Sequence, residues 1–128
     1  MKRVVSVMLV IAAVIHLLPL SGAISNDRLS VLYGLSFAEP NIEILMRHRA
    51  VLFGLLGIFL LYSAFNSSKH LVGLAVGIIS VVSFLYFAWS VGNYNAEIAR
   101  VFYADLVALL CLLVGLVLHL LQGNGDVK

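Results

Sequence analysis

The chain has 128 residues, of which 62% are hydrophobic and 11% are charged, and its formal net charge is +2. Ordinary globular domains carry about a quarter charged residues, so a soluble protein of this length could not bury so much apolar surface. The eight lysines and arginines are scattered along the chain, which argues against the clustered, phosphate-neutralising face of a nucleic-acid-binding protein.

Four apolar segments dominate the sequence, and most charged residues lie at their ends. The segments extend over about residues 4–20, 41–65, 70–91 and 98–121. Each is close to the ~20 residues that a helix needs to cross a ~30 Å hydrocarbon layer. Inside lipid, each segment must also satisfy its backbone hydrogen bonds internally. We therefore predict an all-α integral membrane protein, a single domain over residues 1–128 that forms an antiparallel, up-down four-helix bundle.

The first segment also has the layout of a secretory signal. Lys2 and Arg3 precede an apolar stretch, and small residues follow it at Ser21, Gly22 and Ala23. His16 would be unusual in the core of a disposable signal. We therefore predict that this segment is retained as the first membrane helix.

Positive charge sets the predicted orientation in the membrane. The rule that counts lysine and arginine in short loops favours the cytoplasm for the side that is richer in them, once the helix-embedded Arg47 and Arg49 are left out. That side carries four basic residues, Lys2, Arg3, Lys69 and Lys128. The sequence therefore predicts a multi-pass protein with both termini in the cytoplasm.

The longest connection lies between the first two membrane segments. Asn26 or Asp27 is suited to cap a short helix that runs to Tyr33 along the membrane surface and ends at Gly34. Pro40 suits the first turn of the second long helix. Tight polar turns at residues 66–68 and 92–95 make the later helices antiparallel neighbours.

Small residues recur at helical spacing on the second and third membrane helices. They form two stripes, one of Ala50, Gly54 and Gly57 and the other of Gly73, Gly77 and Ser80. Such stripes let helix backbones approach closely where the hydrophobic effect gives no help. We predict that they pack inside the bundle, and a homodimer seam stays open as an alternative.

Polar groups accumulate toward the outer end of the predicted bundle. His16 lies in the last third of the first helix, and Arg49 and Asp105 each lie about one turn inside an apolar boundary. A lone charge at membrane depth costs roughly 2.5 to 3.5 kcal/mol even on insertion scales. We therefore predict that Arg49 and Asp105 pair directly, with His16 as a third member of the cluster.

Aromatic residues gather at the same end, and together with two histidines and the ion pair they suggest an apolar pocket with a polar throat. The candidate ligand-binding residues are His16, His48, Arg49, Tyr86, Trp89, Tyr103 and Asp105. Two alternatives stay open. The aromatic residues could be an interfacial belt, and the Arg–Asp pair could serve only to hold the helices together.

No cluster of thiolates, imidazoles and carboxylates has metal-ligand spacing, so we predict no metal and no cofactor. A haem held by His16 and His48 is the weaker alternative, because His48 stands between two arginines at the water boundary. We predict that His70 is a loop residue and that His119 caps the C-terminus of the last helix.

At Leu32-Tyr33-Gly34-Leu35, followed by Glu39-Pro40-Asn41, Arg49 and Gly54-Leu55-Leu56-Gly57, the chain resembles the DoxX-like superfamily of small bacterial four-helix membrane proteins. The resemblance covers the first two helices and their connection. It implies a bacterial inner-membrane location and, in a few members, association with redox or stress-response partners. By this resemblance, Arg49 is a candidate functional residue. The chain departs from relatives in having Arg47-His48-Arg49, where they tend to have a single arginine.

Chains similar to this one are sometimes labelled phosphopantetheine adenylyltransferase. The sequence has neither the nucleotide-binding βαβ pattern nor the His-x-Gly-His motif that this activity needs.

We therefore expect a binding or accessory subunit whose outer-end site takes an apolar ligand, either a lipid or a quinone, or a partner helix. One alternative is a small membrane enzyme that uses His16 and Asp105 as acid and base on an apolar substrate. Another is a purely structural subunit of a larger membrane complex. Membrane lipid, a second copy of the chain and a larger complex are the partners that these readings imply.

Overall fold

A computed structural model of the chain describes the backbone of residues 1–125 and the side chains of residues 1–122. The five α-helices are α1 (Lys2–Leu17), α2 (Asn26–Tyr33), α3 (Pro40–Phe65), α4 (His70–Val91) and α5 (Ala96–Gly125). Short 3₁₀ segments follow α1 at Leu18–Ala23 and precede α4 at Ser67–Lys69. Residues 1–125 contain no strand, and the all-α prediction is confirmed. Lys128, which was counted for the predicted orientation, lies outside the described residues.

Four segments are long and apolar enough to cross a membrane, as predicted. They are Lys2–Ala23, Pro40–Phe65, Ser67–Val91 and Ala96–Gln122. Their outward faces carry large aliphatic side chains that are more than half exposed, among them Val14, Leu55, Ile79 and Leu110. A water-soluble monomer rarely exposes so much contiguous apolar surface. The chain is therefore a multi-pass helical membrane protein, and these faces meet lipid.

The core of the bundle is built around α1, which packs against both α3 and α5 while α4 closes the remaining side. Each long helix contributes one fully buried leucine to this core, Leu9, Leu60, Leu74 and Leu112. Small residues of α1, Ala12 and Ala13, are also fully buried. They leave room for the neighbouring helices to approach.

The glycine stripes lie inside the bundle and are covered by the chain's own side chains. A Cβ atom at Gly57 would stand 3.1 Å from the Ala13 carbonyl oxygen of α1. One at Gly73 would stand 2.6 Å from the Cβ of Ser63 on α3, and one at Gly77 would meet Leu112. The predicted close helix contacts are confirmed.

The connection between α1 and α3 forms the predicted short helix, but its cap differs from the prediction. Ser25 has extended backbone angles, and its hydroxyl accepts a hydrogen bond from the Arg28 amide at 3.3 Å. The predicted cap, Asn26 or Asp27, is thus one or two residues too late, and Asn26 instead donates to the Phe37 carbonyl at 2.9 Å. Gly34 ends α2 with φ +63°, a left-handed conformation that glycine adopts at little cost.

The prediction that His70 is a loop residue is wrong. A single 3₁₀ turn suffices to reverse the chain, so His70 is already the first residue of α4 and is only 2% exposed. Its Nε2 lies 3.3 Å from the Ala64 carbonyl oxygen and 3.4 Å from the Ser6 hydroxyl. The ring of His119 lies 6.1 Å away. Since α5 continues to Gly125, His119 does not cap that helix.

Candidate ligand-binding cavity

A cavity of about 420 Å³ lies at the end of the bundle where α1 ends and α3 and α5 begin. Small-molecule sites commonly measure about 300 to 1,000 Å³. The cavity is lined by residues from all five helices and the first 3₁₀ segment: Ile15, His16, Leu18, Pro19, Val31, Leu32, Tyr33, Arg49, Phe53, Phe84, Glu97, Arg100, Val101, Ala104 and Asp105. The lining is mostly apolar, with a few polar and charged groups.

Two clamps hold the short helix α2 over this end of the bundle. Asn95 accepts a hydrogen bond from the Ile98 amide at 2.9 Å, which caps α5, and donates to the Tyr33 carbonyl at 2.7 Å. On the other side, Arg47 donates to the carbonyls of Ala23 and Ile24 at 3.1 and 3.3 Å. The helix α2 and the residues just before it are thereby held to α5 and α3, respectively.

Arg49 reaches the cavity from the third turn of α3. Its guanidinium carbon lies 4.9 Å from the centre of the Phe53 ring and 5.5 Å from the centre of the Tyr33 ring. The ion pairs among the described residues are Arg47–Glu43 and Arg100–Glu97, so Arg49 forms none.

Asp105 lies on α5 and is 7% exposed. Its carboxylate forms no hydrogen bond or ion pair with any side chain or backbone group in the described part of the chain, although it lines the same cavity as Arg49. The prediction of a direct Arg49–Asp105 pair is therefore wrong. The physical reason is that the guanidinium packs against the rings of Phe53 and Tyr33 and not against the carboxylate.

His16 lies at the inner wall of the cavity and is 2% exposed. Its Nδ1 lies 2.8 Å from the Ala12 carbonyl oxygen, and because a carbonyl can only accept, Nδ1 carries the ring proton. Its Nε2 lies 3.2 Å from the Ser80 hydroxyl, which then donates to it. Both ring nitrogens are thus engaged, and His16 bonds to neither Arg49 nor Asp105.

Sequence reasoning missed three aromatic contributors to the cavity: Tyr33, Phe53 and Phe84. Phe53 could have been found, because it lies one helical turn after Arg49. Tyr33 precedes the helix-ending Gly34, but its inward orientation depends on how α2 docks. Burial raises the pKa of the Tyr33 hydroxyl, Arg49 opposes this rise, and Asp105 adds to it. The pKa of Tyr33 therefore depends on both Arg49 and Asp105.

Four predicted site residues lie outside the cavity. Tyr86, Trp89 and Tyr103 are between 58% and 76% exposed, and His48 is exposed near the start of α3. The three aromatic residues have the exposure of an interfacial belt, which was the alternative interpretation. His48 does not line the cavity with His16, so the structure does not bring together in this space the two histidines of the haem alternative.

Within residues 1–122, no group of three or more histidine, cysteine, aspartate or glutamate side chains converges on a point where a metal ion could sit. Comparison of the chain with protein-family models, with curated proteins and with solved structures finds no match. The chemistry of the cavity is therefore the basis for a functional proposal.

Proposed function

We propose that this chain is a bacterial inner-membrane protein that binds an amphipathic molecule of the lipid or quinone class in the cavity. The observation that carries the proposal is that Arg49 and Asp105, neither of which forms an ion pair within the described residues, line one largely apolar space. Apolar walls with a few convergent polar groups are typical of ligand sites.

The two charged groups offer complementary hydrogen bonds to a ligand head. The Arg49 guanidinium is donor-only, so it suits a carbonyl or anionic oxygen. The ionised Asp105 carboxylate is acceptor-only, so it suits a hydroxyl. Partly buried charges without partners are costly, and a ligand that supplies both partners recovers part of that cost.

Binding is favoured over catalysis by the state of His16. An acid–base pair needs His16 and Asp105 within hydrogen-bond reach of each other or of the same reacting group. Both nitrogens of His16 are engaged, by Ala12 and by Ser80, so neither is free to exchange a proton with a substrate. The enzyme alternative would first require the Ser80 hydrogen bond to break.

The binding proposal is tested with the purified protein in lipid nanodiscs, titrated with ethyl-1,4-benzoquinone and its quinol by calorimetry. We expect saturable binding, with quinone binding about tenfold or more weaker in Arg49→Gln and quinol binding about tenfold or more weaker in Asp105→Asn, since hydrogen bonds to charged groups contribute about 1.5 to 3 kcal/mol. Arg28→Gln, an exposed arginine of α2 outside the cavity, is the matched control. Binding that survives both cavity substitutions would contradict the proposal.

Native mass spectrometry from a gentle detergent distinguishes a ligand-binding protein from a subunit of a larger complex. A retained lipid or quinone that is lost in Arg49→Gln supports the proposed site. A stoichiometric second protein that is retained by Arg49→Gln, with no small molecule in the wild type, would favour the structural alternative.

We also infer that both termini are cytoplasmic, because Lys2, Arg3 and Lys69 share one end of the bundle. Reporter fusions after residue 122 and within residues 34–37 should report opposite sides of the membrane. The same side for both fusions would refute this topology.

A further inference from the structure

An apolar groove runs along the outside of the bundle next to the cavity. It is open on its outer side, has a volume of about 740 Å³, and is lined by residues of α1, the first 3₁₀ segment and Ile24. Leu18 lines both the groove and the cavity, and it is 61% exposed. The two spaces therefore adjoin at this one side chain.

The two spaces differ sharply in their chemistry. The cavity contains Arg49, Asp105 and the Arg100–Glu97 pair, whereas Ser21 supplies the only polar side chain among the groove's lining residues. A polar group is thus accommodated on one side of Leu18, and only a hydrocarbon is well accommodated on the other.

The groove has a rigid inner edge. Leu17 and Leu20 lie against Gly57 and Gly54 of α3, where a Cβ would stand 2.7 and 2.5 Å from their side-chain carbons. These two leucines already pack directly against the α3 backbone, so they cannot shift toward α3 without a clash, and a shift away from α3 would open that tight contact. The outer edge is formed by Val14 and Ile24, which are 51% and 73% exposed and face lipid.

We propose that the ligand is a single-tailed amphiphile whose head occupies the cavity and whose apolar tail passes over Leu18 into the groove. This inference rests on the proposed binding function. The position of Leu18 at the border of both spaces, and the change from charged to apolar lining between them, favour this occupant over an unrelated lipid chain.

The tail contributes orientation more than affinity. A hydrocarbon chain is in apolar surroundings both in the bilayer and in the groove, so transfer between them gains little from the hydrophobic effect. What the groove adds is dispersion contact along a fixed path. The test therefore measures where the tail lies and does not measure how tightly it binds.

The probe is a hexyl-1,4-benzoquinone with a diazirine at the end of its chain, photolysed with the full chain in nanodiscs. Peptide mass spectrometry then maps the labelled residues. We expect the label to concentrate on residues 14–24 and to decrease several-fold when excess ethyl-1,4-benzoquinone competes for the cavity.

Val14→Trp fills the groove without touching the cavity, and Val82→Trp places the same side chain on the lipid-facing side of α4 as a matched control. We expect Val14→Trp to reduce labelling of residues 14–24 several-fold and Val82→Trp to leave it unchanged. Calorimetric binding of the ethyl probe, which has no long tail, should be the same in both variants.

Two failures are distinguishable. If the ethyl probe binds saturably but the diazirine labels lipid-facing residues of all four long helices, the tail follows the bilayer and the groove inference is overturned while the binding function stands. If the ethyl probe does not bind saturably, the proposed function fails, and the groove inference fails with it.

Discussion

The guanidinium of Arg49 lies 4.9 Å from the centre of the Phe53 ring, one turn further along the same helix, and not on the carboxylate of Asp105. A cation over an aromatic face gains about 0.5 to 2 kcal/mol, depending on how far it is desolvated. This contact, with a second one to Tyr33, holds a charge at the cavity without consuming its hydrogen-bond donors.

Phe53→Leu should therefore loosen Arg49 while keeping an apolar side chain of similar size. We expect a loss of about 1 kcal/mol in the free energy of unfolding, from the cation–π contact and the lost ring packing. Denaturation of the detergent-solubilised protein measures this loss. Phe65→Leu, on the same helix but 83% exposed, should change the stability by much less. Equal effects in the two variants would show that the ring over Arg49 contributes nothing special.

Composition and periodicity were sufficient to predict the membrane helices, the short helix after α1 and the packing role of the glycines. These features depend on length, apolar character and local turn residues, which a single sequence displays directly. The Gly34 helix end and the Pro40 helix start are local features of the same kind.

The errors concern side-chain direction. The sequence indicates that Arg49 and Asp105 lie at similar depth, but the rings that contact Arg49 come from two different helices. His70 was assigned to a loop because the sequence does not show that the preceding turn is short enough for α4 to begin at this residue. Both outcomes depend on tertiary docking, which a periodic pattern does not encode.

Ser80→Ala should destabilise the bundle because it leaves the Nε2 atom of buried His16 without a donor. Hydrogen bonds between membrane helices contribute about 0.6 kcal/mol on average and up to about 1.7. We expect a loss in that range by reversible unfolding in mixed micelles. Ser83→Ala is the control, since Ser83 bonds to the Ser80 carbonyl within its own helix. A greater loss in Ser83→Ala than in Ser80→Ala would contradict this account.

Gly73→Ala should be among the most damaging small substitutions in the core. The added Cβ would stand 2.6 Å from the Cβ of Ser63, an atom that cannot swing aside. Overpacking of this kind costs about 1 to 3 kcal/mol. Ala75→Val, on the exposed side of the same helix, should be close to neutral.

A double-mutant cycle tests the contact itself. Ser63→Gly removes the obstructing atom, so it should cost less in the Gly73→Ala background than in the wild type. Unfolding free energies that simply add across the two sites would show that the strain lies elsewhere.

Glu39 should make the start of α3 sensitive to acid. Its carboxylate accepts hydrogen bonds from the backbone amides of Asn41 and Ile42 at 3.0 and 2.9 Å, and these bonds lower the pKa of Glu39 below its ordinary value of 4.5. The folded state therefore binds the proton less readily than the unfolded state. The resulting stabilisation is fully present above about pH 4.5 and is lost as the pH falls through the lower, folded pKa.

The measurement compares the unfolding free energy of wild type and Glu39→Gln from neutral to acidic pH. Because glutamine carries no titrating charge, the advantage of the wild type should be constant near neutral pH and should shrink below about pH 4.5. An advantage that grows as the pH falls would mean that Glu39 is stabilised in its protonated form. That result would contradict the role of the carboxylate as the N-cap of α3.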